Sequence, residues 1–283
     1  MRQLASILGL VVAVSFMSSC SQGGGALGGL VEDHKFVSAG QWLKEHPEAD
    51  PSVVDMLQVA RYYRERVSDD NYTRSKQILE RILKKDPEYI PARLMLADVL
   101  REQTEYNEAL KYYNELSEID SIRFIVLPER ARLYTALHEF NKAKADISEA
   151  KSIQPRYYAS FLADGMLQYA RGELEQALDL FEIAEELDPG LSAEASLYAG
   201  IVLLNSRINH DARFKFDRAI EIGRNINKGY AFINRGICQL NLTDSIYACQ
   251  DFDSAMTYMS EQMKEQVERD YIDKYCENFK KPE

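Results

Sequence analysis

A chain of 283 residues fits one or two ordinary domains on length alone. Its 34 Lys and Arg stand against 45 Asp and Glu, a formal charge of −11. Such a surface repels phosphate backbones and offers no basic stripe, so nucleic acid is excluded as an expected partner.

The first segment is not part of a fold. Arg2 is a minimal positive n-region, and Leu4 to Phe16 is an apolar run of 13 residues. A transmembrane helix needs ~20, whereas a signal-peptide core is about this long. The run ends in Met17-Ser18-Ser19-Cys20, which resembles a bacterial lipobox, with Met17 where Leu is usual. That resemblance implies a signal peptide over 1–19 and acylation of Cys20. An ordinary secretory signal with Cys20 incidental, or a signal anchor, are the competing readings. Ser21 to Gly29 is Gly-rich and reads as a flexible tether over 20–35, spanning roughly 15–20 Å. Ser21 stands where Asp would signal inner-membrane retention in enterobacterial lipoproteins, so the resemblance favours the outer membrane, periplasmic face. Residues 36–52 form a lead-in. Phe36, Trp42 and Leu43 would dock one short helix ended by His46-Pro47, and a disordered lead-in competes with it.

From residue 53 a period of 34 takes over. Ala109, Ala143 and Ala177 stand 34 apart, and Asp86-Pro87, Asp120-Ser121, Gln154-Pro155 and Asp188-Pro189 keep the same step. This resembles the tetratricopeptide repeat, a helix–turn–helix unit with a small residue early in helix A and an Ala facing it from helix B. The first unit (56–89) is degenerate, with Ser75 for the Ala, but Leu79 and Ile82 hold its register. The second (90–123) has Ala97, Ala109 and Tyr113; the third (124–157) has Ala131, Ala143, Ile147 and Ala150. The fourth (158–191) has Phe161, Gly165, Gly172, Ala177, Phe181 and Ala184. The fifth (193–227) reads Gly200, Ala212, Phe216 and Ala219, and the sixth (229–262) reads Phe232, Gly236, Ala248, Phe252 and Ala255. Glu265 to Phe279, within the cap and tail 263–283, supplies a final helix with Val267, Tyr271, Ile272 and Tyr275 apolar. The implied fold is all-α: a right-handed superhelical solenoid of about six helix pairs over 53–262 with a C-terminal capping helix.

Two local features follow from the repeat register. Arg130 and Asp146, and again Arg235 and Asp251, stand 16 apart, at corresponding places on facing helices. Each is expected to form a partly buried ion pair. Cys249 follows the packing Ala248, and Cys276 lies near the end of the cap, so the two would approach each other. Buried reduced thiols explain the same pattern and are the leading reading, with a disulfide there as the alternative, and Cys238 is the odd thiol.

In the repeat family, positions 5, 9 and 12 of each unit face the concave groove. In the first three units these are Ala60, Arg64 and Val67; Leu94, Asp98 and Arg101; and Pro128, Arg132 and Thr135. In the last three they are Leu162, Met166 and Tyr169; Leu197, Ile201 and Leu204; and Ile233, Ile237 and Leu240. These nine apolar residues read either as an open hydrophobic channel for an amphipathic or extended peptide, or as side chains buried between adjacent A helices. Arg64, Arg101 and Arg132 would grip acidic groups or pair locally with Asp98 and Glu102.

No GxSxG elbow, HExxH, P-loop or GxGxxG marks a catalytic centre, and His34, His46, His138 and His210 have no second ligand at metal spacing. The expectation is therefore no enzyme, no cofactor and no metal. The chain reads as a membrane-anchored periplasmic repeat scaffold that binds another protein or peptide, in assembly of an envelope complex. It is similar in plan to pilotin lipoproteins and to the repeat lipoprotein of the β-barrel assembly machinery. A carrier or sensor for a small apolar ligand or peptide in the C-terminal half of the groove is the alternative.

Overall fold

The computed structural model describes residues 26–66, 68–190, 192–223 and 225–276. The signal sequence, Cys20 and Val67 lie outside the described residues. The chain forms two compact units, residues 1–55 and 56–283.

In the first unit, α1 (Ala26–Glu32) and α2 (Phe36–Glu45) are joined through His34, whose φ of 56° makes the reversal. The expected tether therefore does not extend over 26–32. Leu27 and Val31, one helical turn apart, are both buried, and that burial offsets the poor helix propensity of Gly28 and Gly29. Gly28 also serves by being small: a Cβ there would meet Asp55 Oδ2 at 3.4 Å. In α2, Ala39 and Leu43 are buried, and Trp42 stacks on His46 with ring centroids 4.6 Å apart.

The second unit is a stack of antiparallel helix pairs. The pairs are α3 (Val53–Arg64) with α4 (Asp69–Lys85), α5 (Ile90–Glu102) with α6 (Tyr106–Ser117), and α7 (Arg123–Ala136) with α8 (Phe140–Ile153). They continue as α9 (Tyr158–Arg171) with α10 (Leu174–Leu187), α11 (Ala193–Asn205) with α12 (Asn209–Ile222), and α13 (Asn225–Asn241) with α14 (Ser245–Met256). The first member of each pair is its helix A and the second its helix B. Among the described residues there is no strand, and no helix is long and apolar enough to cross a membrane.

The turns between A and B share one device. Thr104, His138, Gly172, Arg207 and Thr243 all have left-handed φ between 59° and 82°. The next residue donates its N–H back to the helix, as Glu105 does to Leu100 O (2.8 Å) and Glu139 to Tyr134 O (2.8 Å). This is the Schellman arrangement, which satisfies carbonyls the helix end leaves open. It also accounts for His138, which serves as a turn residue in the left-handed region. The B helices of the first, third and fourth pairs end at Asp86, Gln154 and Asp188, each before a proline that cannot donate to a further turn.

Within a pair, an aromatic side chain of helix B fills the space a small residue leaves in helix A. Phe181, Phe216 and Phe252 are fully buried, and a Cβ on Gly165, Gly200 or Gly236 would fall 2.5, 2.5 and 2.6 Å from them. In the degenerate first pair, the buried Ser75 hydroxyl donates to Ala60 O at 2.9 Å, so the polar replacement is satisfied.

Both expected ion pairs form. Arg130 donates through Nε and Nη2 to the two oxygens of Asp146, each at 2.8 Å, and Arg235 does the same to Asp251 at 2.8 and 2.6 Å. Both arginines also reach the preceding helix B, at Ser117 Oγ (2.7 Å) and Asp217 Oδ1 (2.6 Å). Each therefore ties its own pair to the one before, an inter-repeat contact of the kind that gives a solenoid its cooperativity.

The cap starts earlier than expected, at Glu261, because Ser260 caps α15 (Glu261–Val267) by accepting from Met263 N–H. A single π turn (Glu268–Ile272) and α16 (Asp273–Tyr275) follow. Val267 and Tyr271 pack on the sixth pair, with Tyr271 stacked on Phe252 at 4.9 Å. Tyr275, expected on the apolar face, is half exposed. Cys249 and Cys276 form a disulfide with Cα atoms 5.7 Å apart, and Cys238 is free and buried.

Candidate interaction site: a charged cavity on the concave wall

A cavity of about 560 Å³ opens on the wall built by the A helices. All six contribute, from Arg64 on α3 to Tyr230 on α13, and Tyr72 is added from α4. The helix pairing explains this. Each B helix packs outward of its A helix, so the inner surface presents the A-helix face left unpaired by the turn.

The wall is held by a chain of ion pairs. Arg64 meets Asp98 at 3.0 Å, and Tyr113, fully buried from helix B, donates its hydroxyl to the same carboxylate at 2.8 Å. Arg101 pairs with Glu102 at 2.8 Å and approaches Glu129 at 3.8 Å. Arg132 pairs with Glu129 at 3.1 Å and bonds Glu194 of the fifth pair. Burial pushes the Asp98 carboxyl above its ordinary value, and Arg64 opposes that shift. Burial acts in the same sense on Glu129, but Arg132, Arg101 and Arg64 outweigh it and hold that carboxylate below its ordinary value. Opposite charges close by favour ionisation, and three guanidiniums surround Glu129. Burial raises Tyr158 and Tyr198 to about 12, so both phenols keep their protons at neutral pH.

Arg64, Arg101 and Arg132, one per unit in sequence, thus come together on one surface. Their pairing with Asp98 and Glu102 is the local one expected. Glu129 and Glu194 were not foreseen. Glu194 lies 62 residues from Arg132, and no local spacing signals such a contact.

The nine apolar groove residues do not form an open channel. None of them is exposed: Leu162 and Leu197 are buried, and the other seven are partly buried. Leu162, Met166 and Tyr169 pack with Ala195, Ala199 and Tyr198 of the next A helix. Leu197, Ile201 and Leu204 pack with Ala231 and Cys238. Ile233, Ile237 and Leu240 pack on the cluster that includes the cap residues Val267 and Cys276. Small residues on the facing helices let adjacent A helices approach closely, and the apolar side chains fill the space between them. Of the nine, Met166 and Leu197 also line the cavity.

The tetratricopeptide repeat profile matches residues 67–121, and a second tetratricopeptide profile matches residues 162–225. Among curated proteins, the small glutamine-rich tetratricopeptide repeat-containing protein 2 of Saccharomyces cerevisiae is 28% identical over 91 residues, 32% of this chain and 26% of that protein. The chain thus aligns with about a quarter of that relative's length. Two solved structures share the fold. A tetratricopeptide repeat protein from Parabacteroides merdae aligns at TM-score 0.62 and 15% identity, over 86% of this chain and 94% of the other. A chain of the APC/C hetero-tetramer Cut9-Hcn1 aligns at TM-score 0.58 and 14% identity, over 86% of this chain and 47% of the other. With the period of 34, the helix pairs and the repeated Gly–Phe contacts, these matches show an all-α solenoid fold of tetratricopeptide-type helix pairs, with tetratricopeptide repeats identified over residues 67–121 and 162–225.

Proposed function

We propose that this chain is a lipid-anchored tetratricopeptide scaffold of the bacterial cell envelope, which holds a segment of another protein in its concave cavity without turnover. The observation that carries the reading is the cavity itself, about 560 Å³ in volume and lined by helix A of every pair. Tetratricopeptide arrays act in protein–protein interaction, and their concave surfaces are the binding surfaces such solenoids use. Three arginines fixed in ion pairs give this wall a preorganised polar pattern, which lowers the ordering cost of binding.

The anchor rests on Cys20, which follows a short apolar run and precedes glycines. Stable attachment implies several acyl chains, since one binds only marginally. The Cys249–Cys276 disulfide fits an oxidising compartment and so favours export, with the outer membrane and its periplasmic face as the proposed site. Assembly of an envelope complex is the proposed process.

The test is a photo-crosslinking residue placed at Tyr230 in the cavity, compared with one at the exposed Phe214 on α12, in intact cells. Capture of a partner from position 230 and not from 214 is expected. Capture from 214 alone, or from neither, refutes the cavity reading. For the anchor, Cys20→Ala is expected to release the protein from membranes. Unchanged fractionation with no lipid mass on the protein refutes it.

A further inference from the structure

The cavity wall carries more negative than positive charge. Arg64, Arg101 and Arg132 are its three cations, and Glu65, Asp98, Glu102, Glu129 and Glu194 its five carboxylates, a formal balance of −2. Leaving out Asp98, whose ionisation burial opposes, still gives four carboxylates against three arginines. Neither lysine nor histidine lines it.

Accessibility sharpens the asymmetry. Arg132 and Arg101 keep only 10% and 16% of their side-chain surface and Asp98 14%, while Arg64 and Glu102 each keep 33%, Glu194 26% and Glu129 21%. Arg64 is thus the one accessible cation among three accessible carboxylates. The two deep arginines are already engaged with carboxylates through their terminal nitrogens; their Nε atoms have no hydrogen-bond partner but are enclosed, out of reach of an incoming ligand. An incoming anion would therefore meet an excess of negative charge and could reach only Arg64, which already pairs with Asp98. An apolar ligand would strip water from the carboxylates and return nothing. A cation would gain on both counts. The remaining polar lining is four tyrosines and Asn227, and aromatic rings attract cations over their faces. Tyr198 lies within electrostatic reach of both Glu194 and Glu102, and Tyr230 of Glu102, so rings and carboxylates converge on one region.

We infer that the occupant of the cavity is a positively charged segment of the partner protein, whose lysine or arginine side chains pair with Glu102 and Glu194 beside Tyr198 and Tyr230. This rests on the scaffold reading and names the chemistry of its partner. A cavity of about 560 Å³ lies within the ~300–1,000 Å³ of ordinary ligand sites and has room for a few side chains. The overall charge of −11 would draw a basic segment toward the wall.

The experiment is calorimetric titration of the full-length protein in detergent with peptides of equal length that are lysine-rich, glutamate-rich or neutral, and with spermidine. The lysine-rich peptide is expected to bind, with affinity falling about tenfold as salt is raised through the screening range. Glu102→Gln and Glu194→Gln are each expected to weaken it several-fold. Glu261→Gln, exposed on α15 and outside the cavity, is expected to leave it unchanged. Because Glu194 also holds Arg132, Glu102→Gln carries the test if the Glu194 variant misfolds. Preference for the acidic or neutral peptide, no peptide binding, or equal loss in the Glu261 variant overturns the inference. Spermidine binding as tightly as the lysine-rich peptide overturns the peptide occupant. A partner crosslinked at position 230 through a segment without basic residues overturns this inference and leaves the scaffold standing, whereas no crosslink at all removes both.

Discussion

Gly165→Ala tests the packing that builds every later unit. Gly165 lies mid-helix in α9, where alanine is ordinarily the better helix former by about 1 kcal/mol. The added Cβ would sit 2.5 Å from Phe181 Cε1, 2.7 Å from Cδ1 and 3.1 Å from Cζ. No flexible chain end can swing aside, since Phe181 is fully buried and stacked on Tyr198 at 5.6 Å. Overpacking of this kind costs about 1–3 kcal/mol, which outweighs the propensity gain and leaves a net loss of about 1 kcal/mol. Phe181→Leu removes the obstructing ring edge, so the double variant should be less destabilised than the two single losses added, by about 1 kcal/mol of coupling. Repeat arrays unfold in sections, so the readout is native-state hydrogen exchange of the α9 and α10 amides, with urea unfolding beside it. Stabilisation by Gly165→Ala, or strict additivity with Phe181→Leu, would refute the reasoning. Because Phe181 backs Tyr198, the same variant should also shift the cavity wall, read as a change in titration of the Tyr198 phenol.

Arg130→Ala should cost about 2–3 kcal/mol, above the ~0–1 kcal/mol of an exposed pair, because the Asp146 side chain is only 8% exposed and would be left unpaired. Replacing both by Met and Leu should recover part of the loss, and urea midpoints decide the order. Reduction of Cys249–Cys276, which closes a separation of 27 residues, should remove about 3.5 kcal/mol by the chain-entropy relation. Unfolded, unreduced, lipidated protein should titrate one thiol, that of Cys238, and three thiols would exclude the bridge. In the native fold Cys238 should resist thiol reagents at pH 8, since burial pushes its pKa up to about 12. Tyr158 and Tyr198 ionise near 12 when folded against 10.0 for a free phenol. Above pH ~10 the unfolded chain releases these protons and the folded one does not, so stability should fall from about 10 to 12. Native phenolate absorbance rising as early as in the unfolded chain would contradict this.

The repeat phase, the A and B helices and the two Arg–Asp pairs were legible because all of them lie inside one unit. Within 34 residues, helix pitch and one tight turn fix which positions face each other, so Arg130 and Asp146 meet as their spacing of 16 requires. The helix at Ala26 was not legible, because glycines before Leu27 and between it and Val31 mask a two-residue apolar stripe. The second half of the groove stayed open between a channel and buried side chains for a related reason. Family phase told which residues point inward, but not how closely Ala195, Ala199 and Ala231 let neighbouring A helices pack over them.

By itself the sequence determined the unit: its length, its helices, its turns and its internal contacts. Only the tertiary structure decided what units distant in sequence do to one another. Arg132 meets Glu194 across 62 residues, and Tyr72 of the first pair lines one cavity with Tyr230 of the sixth. Each unit adds a small rotation to the last, and no local spacing records the sum. The excess of carboxylates in the cavity arises from that accumulated curvature, which gathers side chains from six helices onto one wall.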